Sequence, residues 1–171
     1  MSDAVKNILI VGVGGQGTLL ASKLMGKVFT DQGFDVKVSE VHGMSQRGGS
    51  VVTYVRYGDK VYSSVIEKGE ADIILAFEQL EAARWLPFLK PGGVLIASTQ
   101  RIDPMPVIMG AASYPENILP SIRDKGVRPA VVGVEVISDE ILSRDVAQAA
   151  KDNYEAARAV LEQIWPEVLE R

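Results

Sequence analysis

The chain has 171 residues, 47% of them hydrophobic and 23% charged, with a formal net charge of -4. That is length enough for one domain, burying roughly 70% of the surface its unfolded form would expose, and the mild acidity gives no electrostatic reason to expect nucleic acid. No cysteine occurs, which excludes disulfides, thiolate nucleophiles and cysteine-ligated iron-sulfur clusters, and the single histidine leaves a zinc site short of its usual donors.

Asn7 to Val13 reads as a first buried strand, because Ile8, Leu9, Ile10 and Val11 run without a break into glycine. The run is too short to span a bilayer, and Met1 to Ala4 lacks the basic start of a signal peptide, so the cytosol is the expected location. A helix from about Gln16 to Gln32 follows, with Leu19, Leu20, Leu24, Val28 and Phe29 near helical spacing and Gly33 as its C-cap. Asp35 to Val41 alternates valines with polar residues as a second strand. The segment Ser39 to Ser50 then forms a glycine-rich polar loop with no helix after it.

Val51 to Arg56 and Lys60 to Val65 flank Tyr57-Gly58-Asp59 and read as a hairpin, which makes the sheet mixed. Ala71 to Phe77 is another buried strand. Glu78 to Leu89 is a short helix interrupted near Pro87, Pro91-Gly92-Gly93 a turn, and Val94 to Ser98 a further strand. Thr99 to Tyr114, with Pro104, Pro106 and Gly110, reads as loop, and Pro129 to Ile137 as a late strand. In the tail, Leu142, Val146, Ala149, Ala150, Tyr154, Ala157, Leu161, Ile164 and Trp165 fall on one helical stripe before Pro166. The expected architecture is α/β: a single three-layer, Rossmann-like domain over residues 1–171, with a mostly parallel, partly mixed sheet and a C-terminal helix.

Two segments carry chemistry. Gly12-x-Gly14-x-x-Gly17, between strand and helix, matches the dinucleotide fingerprint, and helix amides there favour an anion. Glu40 lies 23 residues beyond Gly17, close to where a ribose-binding acid belongs, so a stand-alone nucleotide-binding module using Gly12, Gly14, Gly17 and Glu40 is one reading. Tight helix-to-strand packing explains the same glycines without a ligand. In the second segment His42 is a candidate acid or base, because an unperturbed imidazole titrates near neutrality, or a structural residue. Arg47 offers a fork of donors for carboxylate or phosphate, which Gly48 and Gly49 let the backbone approach, or it pairs with a partner subunit's carboxylate. Glu78, Glu81 and Arg84, spaced three apart, read as a solvated helix face. The apolar tail reads as core or as a docking surface.

Gly12 to Thr18, the Ser39 to Ser50 loop, the Ala71 to Glu78 strand and Leu86 to Gly93 together resemble the gamma-type domain of 2-oxoacid:ferredoxin oxidoreductases, across about residues 5 to 100. The loop wording is most similar to that of the small (beta) subunits of the indolepyruvate type. The resemblance implies a subunit, inactive alone, of an enzyme that oxidatively decarboxylates a 2-oxoacid, such as indolepyruvate or another aryl or branched pyruvate, to an acyl-coenzyme A. Thiamine diphosphate, magnesium and iron-sulfur clusters are then expected in a large partner subunit that hands electrons to ferredoxin, with coenzyme A a ligand shared with this chain. Membrane and nucleic acid are not expected partners, and the isolated chain could form a homo-oligomer. On this reading His42 and Arg47 are candidate catalytic residues, and Gly12, Gly14, Gly15, Gln16, Gly17, Ser45, Gln46, Gly48 and Gly49 line a cofactor site.

Overall fold

The computed structural model describes residues 5–42, 48–127 and 129–132. Within them the apolar runs become a six-stranded sheet ordered β2-β3-β1-β4-β5-β6, with strands at Lys6–Val13 (β1), Asp35–His42 (β2), Ser50–Gly58 (β3), Ala71–Ala76 (β4), Leu89–Ser98 (β5) and Ala130–Val132 (β6). Strand β4 runs parallel to β1, β5 to β4 and β6 to β5, while β3 is antiparallel to both β1 and β2. The expected mostly parallel, partly mixed sheet is therefore what forms. The rest of the expected late strand and the C-terminal helix lie outside the described residues.

Helix α1 (Thr18–Asp31) ends as its sequence says, with Gly33 at φ 89° and its N–H donating to the Thr30 carbonyl. It lies on the sheet face that carries Ile8, Ile10, Val55 and Tyr57, where the Phe29 ring stacks on Tyr57 at 3.9 Å between centroids. The opposite face presents Leu9, Val11, Val52, Ile74, Ala76, Leu95 and Ala97. That face is covered by α2 (Gln79–Trp85) and α4 (Ile118–Asp124), the latter through Ile118, Leu119 and Ile122. Successive strand residues point to opposite faces, so the two sets of side chains build two cores around one sheet. Each fully buried leucine or isoleucine in them contributes about 1.5–3 kcal/mol.

Three expected features are corrected. Lys60 to Val65 is not a strand; the antiparallel partners of β3 are instead β1 and β2, the latter from Asp35 opposite Gly58 to His42 opposite Val51. Side chains take the backbone groups that a ladder would have used: Arg56 Nη1 donates to the carbonyls of Ser63 (3.0 Å) and Val65 (2.9 Å), and Asp35 Oδ2 accepts the Val61 N–H at 3.0 Å. Pro91-Gly92-Gly93 is not a free turn either. It lies inside β5, where the register against β4 shifts between Ala71 and Ile73. The stretch expected as loop contains one helical turn, α3 (Met105–Ile108).

Asp35 also holds Lys37 at 2.5 Å and Lys60 at 3.5 Å. The Lys37 ammonium above all, then the Val61 amide, lower its pKa from 3.8 to about 2. A depressed carboxylate stabilises the fold above its unfolded pKa and loses that contribution as pH falls through the folded value. Stability is therefore expected to decline between about pH 4 and pH 2, and Asp35→Asn to flatten that acid limb in denaturant titrations at stepped pH. An unchanged limb would place the acid sensitivity elsewhere.

Candidate functional site

From β1 the chain crosses through α1 to β2 on one side, and from β4 it crosses through α2 to β5 on the other, so the strand order reverses between β1 and β4. The carboxyl ends of two such strands leave a crevice between their outgoing loops, which is where open α/β sheets bind ligands. Here the turn from Val13 to Thr18 meets Phe77 after β4 and the Gly48 to Ser50 segment that leads into β3.

The two glycine segments meet. Gly14 N–H donates to the Gly49 carbonyl at 2.9 Å, and Gly48 N–H donates to the Gly14 carbonyl at 3.4 Å. Side chains would obstruct the approach at Gly12, where a Cβ would stand 2.9 Å from Gln16 Oε1 and 3.1 Å from both Phe77 Cβ and Thr18 Cγ2. Gly17 caps α1 at φ 88°, a left-handed conformation costly for any other residue, and no side chain caps the first turn or puts an acid there. The amides of that turn therefore open onto a cleft of about 640 Å³ lined by Gly14, Gly15, Thr18, Leu19, Lys23 and Glu40 among others. Amides, a lysine and an apolar wall suit an anionic group carried on an organic body.

Gln16 does something other than face this cleft. Its Oε1 accepts the Val13 N–H at 2.6 Å, and its Nε2 donates to the Phe77 carbonyl and to Gln100 Oε1, both at 2.9 Å. The side chain thus ties the ends of β1 and β4 to the segment after β5. His42 closes β2 opposite Val51, and Val51 lines the cleft. Ser45, Gln46 and Arg47 lie outside the described residues.

Glu78 and Glu81 correct the expected solvated face: they are 1% and 4% exposed, and only Arg84 lies in the open. Glu78 is the N-cap of α2. Its Oε2 accepts the Glu81 N–H at 2.9 Å, and its Oε1 accepts the Tyr114 hydroxyl and, at 3.4 Å, the Ile102 N–H. Burial first, then this carboxylate, raise the Tyr114 pKa, so the phenol stays protonated and donates. Glu81 Oε2 accepts the Ser50 hydroxyl at 2.5 Å and Trp85 Nε1 at 3.2 Å. A signal was available: Glu78 directly follows a buried strand and stands three residues before Glu81, the position of a capping acceptor.

The family model for pyruvate ferredoxin/flavodoxin oxidoreductase matches residues 7–162. The chain belongs to that family. It is 51% identical over 109 residues to the indolepyruvate oxidoreductase subunit IorB of Pyrococcus horikoshii, a match covering 64% of this chain and 54% of that protein. The subunit of the same name from Archaeoglobus fulgidus is 42% identical over 130 residues, covering 75% of this chain and 63% of that one. The chain thus spans little more than half the length of the first of these relatives. A solved 2-oxoglutarate:ferredoxin oxidoreductase from Magnetococcus marinus shares the fold at a TM-score of 0.50 and 16% identity, over 72% of this chain and 22% of that one. The resemblance expected from the two glycine segments is thereby borne out.

Family membership and donor chemistry meet at one point. A chain without cysteine cannot supply thiolates to an iron-sulfur cluster, and among the described residues no three His, Asp or Glu side chains converge as metal ligands. The described residues do not offer a ligand set for those groups. No helix among the described residues is long and apolar enough to cross a membrane.

Proposed function

We propose that this chain is the small subunit of a 2-oxoacid:ferredoxin oxidoreductase of the indolepyruvate type, completing an enzyme whose thiamine diphosphate, magnesium and clusters reside in a larger partner that reduces ferredoxin. The observation that carries the reading is the backbone pairing of Gly14 with Gly48 and Gly49, which brings the two family-like segments to one crevice. The identity to the IorB subunits supports the choice of an aryl 2-oxoacid. Cytoplasmic location follows from the same assignment.

The cleft is the place for coenzyme A. Its phosphates suit the uncapped first turn of α1 and Lys23, and its organic portion suits Leu19 and Leu20. Gly14, Gly15 and Gly17 line the cleft, Gly12 permits the tight turn beside it, Gln16 ties the neighbouring ends of β1 and β4, and Gly48 and Gly49 pair with Gly14 at its edge. Ser45 and Gln46 are assigned to the same ligand, while His42 and Arg47 serve the reacting acyl or carboxylate group. Lone nucleotide binding is not favoured. Strand β3 sits between β1 and β2, which sets Glu40 one strand spacing, about 4.8 Å, farther from β1 than the ribose acid of a dinucleotide fold.

Tagged purification from the native host tests the assignment. A larger cysteine-rich chain is expected to co-elute in equal amount, and elution of this chain alone would sink it. In the assembled enzyme Arg47→Ala is expected to lower turnover about tenfold or more, since one charge-assisted hydrogen bond contributes roughly 1.5–3 kcal/mol. The melting temperature should stay unchanged, and an equal loss of thermal stability would make Arg47 structural.

A further inference from the structure

Glu81 is a carboxylate without a buried cation beside it among the described residues. It is 4% exposed, and the nearest positive group, Arg84 Nε at 3.5 Å from Oε1, belongs to a side chain that is half in solvent. Taking a charge out of water is costly, and a well-packed apolar residue usually serves stability better. In return the carboxylate accepts the Ser50 hydroxyl and Trp85 Nε1.

Ser50 is the first residue of β3 and follows directly on Gly48-Gly49. Two consecutive glycines have wide conformational freedom and no side chains to pack, so neighbours must fix their position. On one side the fixing group is Gly14, through the two backbone bonds. On the other it is Ser50, and through its hydroxyl Glu81. Glu81 is in turn immobilised by Trp85 Nε1 and by the Glu78 cap on its own N–H. The next residue after Ser50, Val51, is already part of the cleft wall.

We propose that Glu81 is a positioning residue for the glycine cleft: through Ser50 it holds the Gly48-Gly49 backbone against Gly14 and so sets the wall at which the anionic ligand is bound, from the far side of the sheet. The inference rests on the cleft being the coenzyme A site. It makes ligand affinity, more than the fold, depend on a side chain that never touches the ligand.

The test titrates coenzyme A into the complete chain, free and in complex with whatever co-purifies, with melting temperatures taken in parallel. Ser50→Ala and Glu81→Ala are each expected to weaken binding about tenfold, and the double variant to be no weaker than the singles because both break one link. Glu81→Gln, which keeps an oxygen to accept the Ser50 hydroxyl, should restore most of the affinity. In the complex the KM for coenzyme A should rise while that for the 2-oxoacid stays within about twofold; a merely structural lesion would move both. Binding by the parent chain that survives both alanine variants, or losses that simply add, would overturn the inference alone. No binding by the parent chain would overturn the coenzyme A reading and this inference with it.

Discussion

Glu78→Ala is expected to lower the unfolding free energy by about 3 kcal/mol, a large part of what holds a domain of this size together. The carboxylate is 1% exposed and receives the Tyr114 hydroxyl and the N–H groups of Glu81 and Ile102. Alanine leaves those buried donors without an acceptor, at roughly 1–3 kcal/mol each, partly offset by no longer desolvating a charge. Glu78→Gln keeps the shape and one acceptor oxygen, so its loss should be about a third as large. Urea titrations followed by circular dichroism read both. A Glu78→Ala loss below about 0.5 kcal/mol would mean that water replaces the carboxylate and that the network is not closed.

Gly93→Val is expected to cost about as much, by a different route. A Cβ at Gly93 would stand 2.8 Å from Leu89 Cδ1 and 3.0 Å from the carbonyl oxygens of both Ala71 and Asp72. Leucine can rotate away, but the two carbonyls belong to β4 at the point where its register against β5 shifts, so relief requires the strands to separate. Overpacking of this kind costs roughly 1–3 kcal/mol, with valine at the upper end and alanine at the lower. Comparing the melting temperatures of the two variants checks it, and equal values would show that the strands yield freely.

Much of this was legible in the sequence because it rests on patterns of apolar residues and glycine. The run Ile8 to Val11 gave β1, the alternation of Val36, Val38 and Val41 gave β2, and Gly33 marked the end of α1. What escaped depends on side chains meeting backbone across long separations. Val61, Tyr62 and Val65 look like a strand, yet Arg56 and Asp35 claim the groups that strand pairing needs. Glu78 and Glu81 look like surface charges because their acceptors' partners, Tyr114 and Ser50, are 36 and 31 residues away. Helix α4 carries Pro120 in its first turn and starts from Asn117 at φ 55°, so neither its onset nor its length announces it. At the site, the glycines were found from their motif, whereas the clamp made by Gln16 needed Phe77 and Gln100 in place.

The Gln16 clamp also bears on the order in which the crevice is built. Its bond to Gln100 joins residues 84 apart, and the Gly14 pairing with Gly49 needs all of α1 and β2 between them. Contacts of such sequence separation form after local ones, because the entropy of closing the intervening loop must first be overcome. A nascent chain stalled before Gln100 therefore has α1 and the β2–β3 pair but an unfinished mouth. In the complete chain the clamp ties the first strand of the sheet to residues beyond β5, so the mouth of the crevice is held by long-range contacts and not by local ones.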